Sequence, residues 1–171
     1  MKKFSDIPQF TSMGEYHVNV ALTEIPHVIE RYIKTHSLEM NPDFQRGHIW
    51  TQEQQIRYIE FMLSGGCSGK DIFFNHPGWQ RDFSGCMVLV DGLQRLTAAQ
   101  AFMGNKIPAY GAFYQKYDRI HYSIDFIFHV NCLKTKAEVL KWYIELNEGG
   151  VVHTPAEIKR VRQLLEEEKS K

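Results

Sequence analysis

Five consecutive residues, Asp91-Gly92-Leu93-Gln94-Arg95, could carry chemistry together. An apolar run, Met87-Val88-Leu89-Val90, ends on a carboxylate, a glycine frees the turn, and a helical pattern opens directly behind it. The first turn of a helix presents unpaired N–H groups and a partial positive charge, which together make an anion site. Arg95 can complete such a site with two parallel N–H donors, and Asp91 can hold a divalent metal or position a water beside a bound phosphate. The plainer alternative is a helix cap at Asp91 and a surface ion pair at Arg95, and spacing alone does not separate the two.

A second group sits in Asn41-Pro42-Asp43-Phe44-Gln45-Arg46-Gly47-His48-Ile49-Trp50, with an amide, a guanidinium, an imidazole and an indole on one loop. Such a loop suits stacking on a base and clamping a phosphate. On chemistry alone a loop pinned in the core by Phe44 and Trp50 explains it slightly better. Ser64-Gly65-Gly66-Cys67-Ser68-Gly69-Lys70-Asp71 is no phosphate loop, because Ser64 replaces the first glycine, Asp71 replaces the Ser/Thr, and a helix precedes it. The histidines form no H-x-x-x-H pattern; His121 and His129 could share a strand face, but one pair eight residues apart is weak evidence for a metal. Cys67, Cys86 and Cys132 form no C-x-x-C pair, which argues against a zinc ribbon, a disulfide framework or a thiol nucleophile.

Those groups need elements to hold them. Residues 16–22 alternate as a strand, and Thr23 offers an N-cap to a helix carrying Ile25, Val28, Ile29, Tyr32 and Ile33 at helical spacing. Thr51-x-x-Gln54 is a capping box that opens a helix over 52–63, with Ile56, Ile59 and Leu63 inward and Gly65-Gly66 as its stop. Residues 72–74 and 87–90 are short buried strands, followed by a helix from Leu93 through Leu96, Ala99 and Phe102 to Gly104. Residues 121–130 alternate best, with Tyr122, Ile124, Phe126, Phe128 and Val130 on one face and a mostly polar other face. Thr135-x-x-Glu138 caps a helix to Glu148, Thr154-Pro155-x-Glu157 opens the last one, and residues 166–171 are expected to fray. Without strict β-α-β alternation the class is α+β, a small mixed sheet flanked by helices in one domain over 1–171.

Twenty Lys plus Arg against twenty Asp plus Glu removes the large positive charge that drives nonspecific DNA binding, so any nucleic-acid contact must be local. No apolar run approaches the roughly 18 residues of a membrane span and no secretory signal opens the chain, so the expectation is a soluble, cytoplasmic protein.

Taken in order, Pro42-x-Phe44-Gln45-Arg46-x-x-x-Trp50, Asp91-Gly92-x-Gln94-Arg95-Leu96-Thr97 and Asn147-x-Gly149-Gly150-x-x-His153-Thr154-x-x-Glu157 resemble the N-terminal domain of GmrSD-type modification-dependent restriction enzymes. The resemblance implies a ParB/sulfiredoxin-like superfold. It also implies nucleotide binding and hydrolysis at the Asp-Gly-Gln-Gln-Arg motif, coupled in some members to a separate HNH nuclease domain and to sensing of modified or foreign DNA. Carried over by position, Asp91, Gln94 and Arg95 are the matching catalytic residues, and Gln45, Arg46, Gly92, Arg95 and Thr97 the phosphate-binding ones. Magnesium on Asp91 and a nucleoside triphosphate are the implied cofactor and ligand. Leu93 stands where the family usually has its first Gln, and the chain ends soon after the third motif, so no HNH domain is expected within it. The implied partners are nucleotide or DNA, with a second copy of the chain or a nuclease or other defence-system protein as protein partner, in a bacterial or phage-infected cell. Two further readings stand beside this one: a ParB-like DNA-binding or nicking domain, and a non-enzymatic regulator or inhibitor, phage-encoded versions included, acting through protein contacts.

Overall fold

The computed structural model describes residues 7, 10–12, 14–45, 47, 49–120, 124–148 and 155–170. Four strands make one mixed sheet: β1 (Tyr16–Ala21), β2 (Asp71–Asn75), β3 (Val88–Asp91) and β4 (Asp125–Asn131), in the spatial order β1-β4-β2-β3. β1 runs antiparallel to β4, β4 parallel to β2, and β2 antiparallel to β3. Register assigns the two faces, since opposite residues share a side and neighbours alternate. Val18 and Val20 lie opposite Phe128 and Phe126 on one face, and His17 and Asn19 lie opposite His129 and Ile127 on the other.

The first face is covered by α1 (Ile25–His36), α2 (Gln52–Leu63) and α3 (Leu93–Met103). Ile25, Ile29, Ile59, Met62, Leu96, Ala99 and Phe102 bury themselves there against Ile72, Phe74, Leu89, Phe126, Phe128 and Val130. On the second face α4 (Lys136–Glu148) and α5 (Pro155–Lys169) pack a smaller core, in which Val139, Leu140, Trp142, Tyr143, Ile144 and Val161 meet Phe44, Phe73 and Val90. The α+β class and the helix-flanked mixed sheet read from the sequence are therefore the observed architecture. Both capping boxes also form. Gln54 donates its N–H to Thr51 while its side chain accepts from the Thr51 N–H, and Glu138 and Thr135 exchange the same pair of bonds.

Three local expectations change. Thr23 does not cap α1, because a 3-10 turn at Leu22–Glu24 leads into the helix, Glu24 takes the cap position, and the Thr23 hydroxyl is buried without a partner among the described residues. Ile33 is 48% exposed: a twelve-residue helix resting on a sheet buries one stripe, and Ile25, Ile29 and Tyr32 fill it. β4 begins at Asp125 with Phe126, Phe128 and Val130 on the core face as expected, whereas the expected stretch 121–123 lies outside the described residues. The Thr154 cap of the last helix lies outside them too. α5 itself continues through 166–169, and Lys169 pairs with Glu166 at 2.8 Å.

Candidate functional site

The strand–turn–helix around Asp91 is held by steric necessity. A β-bulge between Phe73 and Phe74 shifts the register of β2 on β3, so that Phe73 faces Asp91 while Phe74 faces Leu89. The next residue, Gly92, has φ +104°, and a Cβ there would stand 2.6 Å from Ile72 Cδ1 and 3.3 Å from Ile72 Cα. Only glycine meets both demands. Gly92 is also the N-cap of α3, and among the described residues no side chain caps that helix, so its first-turn N–H groups have no side-chain acceptor there.

Arg95 lies one turn into α3, and its Nη2 donates to Asp91 Oδ2 across the mouth of the helix. The two side chains are 22% and 29% exposed, which places the pair at the rim of the fold. The Arg95 stem approaches Gly69, whose carbonyl accepts the Tyr58 hydroxyl at 2.7 Å. Burial pushes the Tyr58 phenol far above its usual value, and the nearby Arg95 charge opposes that shift. Tyr58 is therefore a neutral donor.

The two glutamines predicted to act on ligand are ties between loop and scaffold. Gln94 accepts the N–H groups of Ile49 and Trp50, each at 3.0 Å, and donates to the Gly47 carbonyl at 2.8 Å. Gln45 donates to the Leu89 carbonyl at 2.6 Å. Together they stitch the 44–50 loop onto β3 and α3, so the first and second motifs meet in space. Phe44 is buried beside Tyr143, with ring centroids 5.3 Å apart, and Trp50 packs on Tyr58 at the same separation. Thr97 donates to the Leu93 carbonyl at 2.7 Å, one turn back in its own helix. Arg46 and His48 lie outside the described residues.

Among the described residues no group of three His, Cys, Asp or Glu side chains could hold a metal. His129 meets His17 across the β1–β4 register and Asp71 of β2, and His121, which could share its strand face, lies outside the described residues. Sequence reading missed Tyr58, Gly69, His17 and Asp71, and the pairing of separate strands is the only signal that unites the last two with His129.

Fold and site define a class: an α+β domain whose apolar strand ends in an aspartate, turns on a glycine and opens an uncapped helix with an arginine at its mouth. The model of the GmrSD restriction endonuclease N-terminal domain matches residues 29–131, and the chain belongs to that family. Membership supports a role in a restriction system. No curated protein and no solved structure matches the chain. Among the described residues no helix is long and apolar enough to cross a membrane.

Proposed function

We propose that the chain binds a nucleoside triphosphate by its phosphates at the mouth of α3, as the ligand-binding part of a restriction system. The observation that carries this reading is the open helix N-terminus with Arg95 held across it by Asp91. Helix N–H groups and a guanidinium are the donors that phosphate oxygens take, and a triphosphate offers more of those oxygens than a single ester. Arg95 Nη2 is engaged by Asp91, which leaves Nε and Nη1 without a partner among the described residues. Gln45 and Gln94 act in binding by fixing the 44–50 loop, and Gly92 makes the tight turn against Ile72 that opens α3.

Magnesium is compatible with this site, since it is commonly held by one or two carboxylates plus ligand phosphates, and Asp91 supplies one. When bound with the nucleotide it would neutralise phosphate charge and polarise a phosphoryl oxygen. Hydrolysis is the further step of the proposal, with Asp91 orienting water.

Thermal unfolding against the common nucleoside triphosphates, with and without magnesium, tests the reading. A ligand at about a hundred times its dissociation constant stabilises the fold by roughly 2.7 kcal/mol. No stabilisation by any triphosphate, together with a salt-dependent shift of short DNA on a gel, would transfer the site to the nucleic-acid backbone. Co-purification with a partner protein and no binding of either ligand would select the regulatory module.

A further inference from the structure

The two edges of the sheet are finished differently. Along β3 the chain covers its own edge: Glu39 donates its N–H to the Met87 carbonyl at 2.9 Å and accepts from the Leu89 N–H at 3.0 Å, and the Gln45 side chain takes the Leu89 carbonyl at 2.6 Å. At the other end of the order β1-β4-β2-β3, β1 has a strand on one side alone.

One bond fixes which backbone groups of β1 face outward. The Leu22 N–H reaches the Ile124 carbonyl at 2.8 Å, and hydrogen-bonded pairs recur at every second residue of an antiparallel ladder. Val20, Val18 and Tyr16 therefore turn their N–H and C=O groups to Phe126, Phe128 and Val130, their partners in register. Ala21, Asn19 and His17 turn theirs away from the sheet, and among the described residues no group takes them. His17 and Asn19 are exposed. Edges of this kind are ordinarily blunted by lysine, proline, an inward charge or a bulge. Tyr16-His17-Val18-Asn19-Val20-Ala21 contains no proline, lysine, arginine or acid, and its register on β4 is unbroken over those six residues.

The strand also complements itself. When two copies pair antiparallel, outward residues must meet outward residues, and a register centred on Asn19 overlaps the whole of β1. Asn19 then faces Asn19 of the second copy, and His17 faces Ala21 of the second copy in both directions. On the core face Val18 and Val20 of one copy lie opposite Val20 and Val18 of the other, so the apolar face continues across the junction. No like charges are brought opposite one another.

We propose that β1 is a homotypic docking edge, where two copies of the chain pair their β1 strands antiparallel about Asn19 and join two four-stranded sheets into one of eight. The two-fold axis runs between the two Asn19 residues, so the contact is isologous and closes at the dimer. The phosphate reading plays no part in this inference. Because β1 and β3 end the strand order on opposite sides, the two α3 mouths lie at the far ends of the joined sheet. A six-residue edge is a small contact, so the dimer is weak and concentration-dependent.

Sedimentation of the full chain from about 10 μM to about 1 mM tests the pairing. The expected mass rises from 20.0 kDa to twice that value. Asn19→Pro removes one outward N–H without touching the ladder to β4, at a position where an edge strand tolerates proline, and should stay folded and monomeric throughout. Amide exchange in the wild type is a readout that needs no variant. The N–H groups of His17, Asn19 and Ala21 should slow by about tenfold at the high concentration, while those of Val18 and Val20 are protected at both. A single species of 20.0 kDa at every concentration would overturn the proposal. A dimer that Asn19→Pro leaves intact, or one whose three outward amides go on exchanging at the monomer rate, would overturn it too by placing the contact elsewhere.

Discussion

Arg95 serves two partners in this reading. Its bond to Asp91 is an i,i+4 pair with both side chains partly exposed, a class of interaction worth at most about 1 kcal/mol. Turning the guanidinium from Asp91 onto a multiply charged phosphate therefore costs little. Arg95→Ala is expected to weaken nucleotide binding by about 2–5 kcal/mol, the cost of removing one partner of a buried charged pair, and to change stability by no more than about 1 kcal/mol. Lysine carries the charge but not the planar fork, so Arg95→Lys should keep only part of the affinity. Calorimetric titration of nucleotide and of short DNA into the three proteins checks this, and unchanged affinities would remove Arg95 from the site. At this scale the sequence disclosed the turn on Gly92 and an ion pair at Arg95, because five adjacent residues state their own geometry. It concealed what Gln94 does, since the three groups that Gln94 binds are backbone atoms of Gly47, Ile49 and Trp50, which carry no side-chain signature. It concealed the contact of His17 with His129 because the two stand 112 residues apart, and strand order rather than spacing brings them together.

Elements were legible where a side chain bonds its own local backbone. The Thr51 and Thr135 boxes both formed, and α3 starts where an apolar strand meets Asp-Gly. Thr23 misled because a hydroxyl next to an apolar helical stripe has the same pattern whether the chain enters the helix directly or through a 3-10 turn. The β2–β3 bulge was invisible for a related reason: a one-residue register shift leaves both strands apolar. Two outcomes follow for the strand–turn–helix. Gly92→Ala combines a positive φ with a clash against Ile72 and is expected to cost about 2–5 kcal/mol in denaturant unfolding, the sum of left-handed backbone strain and overpacking. Gln94→Ala leaves two N–H groups and a carbonyl without their partner, a loss of about 1–3 kcal/mol. Amide exchange at Ile49 and Trp50 should accelerate in that variant and stay unchanged in Arg95→Ala. Equal protection of the two amides in Gln94→Ala and wild type would mean that Phe44, Gln45 and Trp50 hold the loop without Gln94.

For the molecule as a whole, formal neutrality conceals an imbalance in where protons are tolerated. The C-terminal end of α1 and the 76–83 turn close an aromatic box in which His36 lies 5.2 Å from His76, 5.2 Å from Trp79 and 5.3 Å from Phe83, ring to ring. His76 is fully buried and accepts the Gly78 N–H at 3.1 Å, and its Nε2, His36 Nδ1 and Trp79 Nε1 are buried without partners among the described residues. Burial holds both imidazoles below their ordinary value, with Arg31 adding to the effect on His36 and the His36 charge adding to that on His76; Asp82 works against the latter shift. The unfolded chain titrates these rings near pH 6.5, so below that point it binds protons that the fold refuses, and stability rises with pH across the interval. The contribution is complete above about pH 6.5 and is lost as pH falls through the depressed folded values. Asp82 and Glu138, held low by hydrogen bonds from Ser84 and Thr135, lose their contribution only below about pH 4, so the two windows stay separate. The guanidinium midpoint is therefore expected to be level from about pH 8 to 7 and to fall between about pH 6.5 and 5. His36→Phe keeps an aromatic ring in the box, removes one titrating group and relieves His76 of a neighbouring charge, so it should flatten that fall. A variant whose midpoint declines with the wild-type slope would show that the box tolerates its protons and that acid acts elsewhere in the fold.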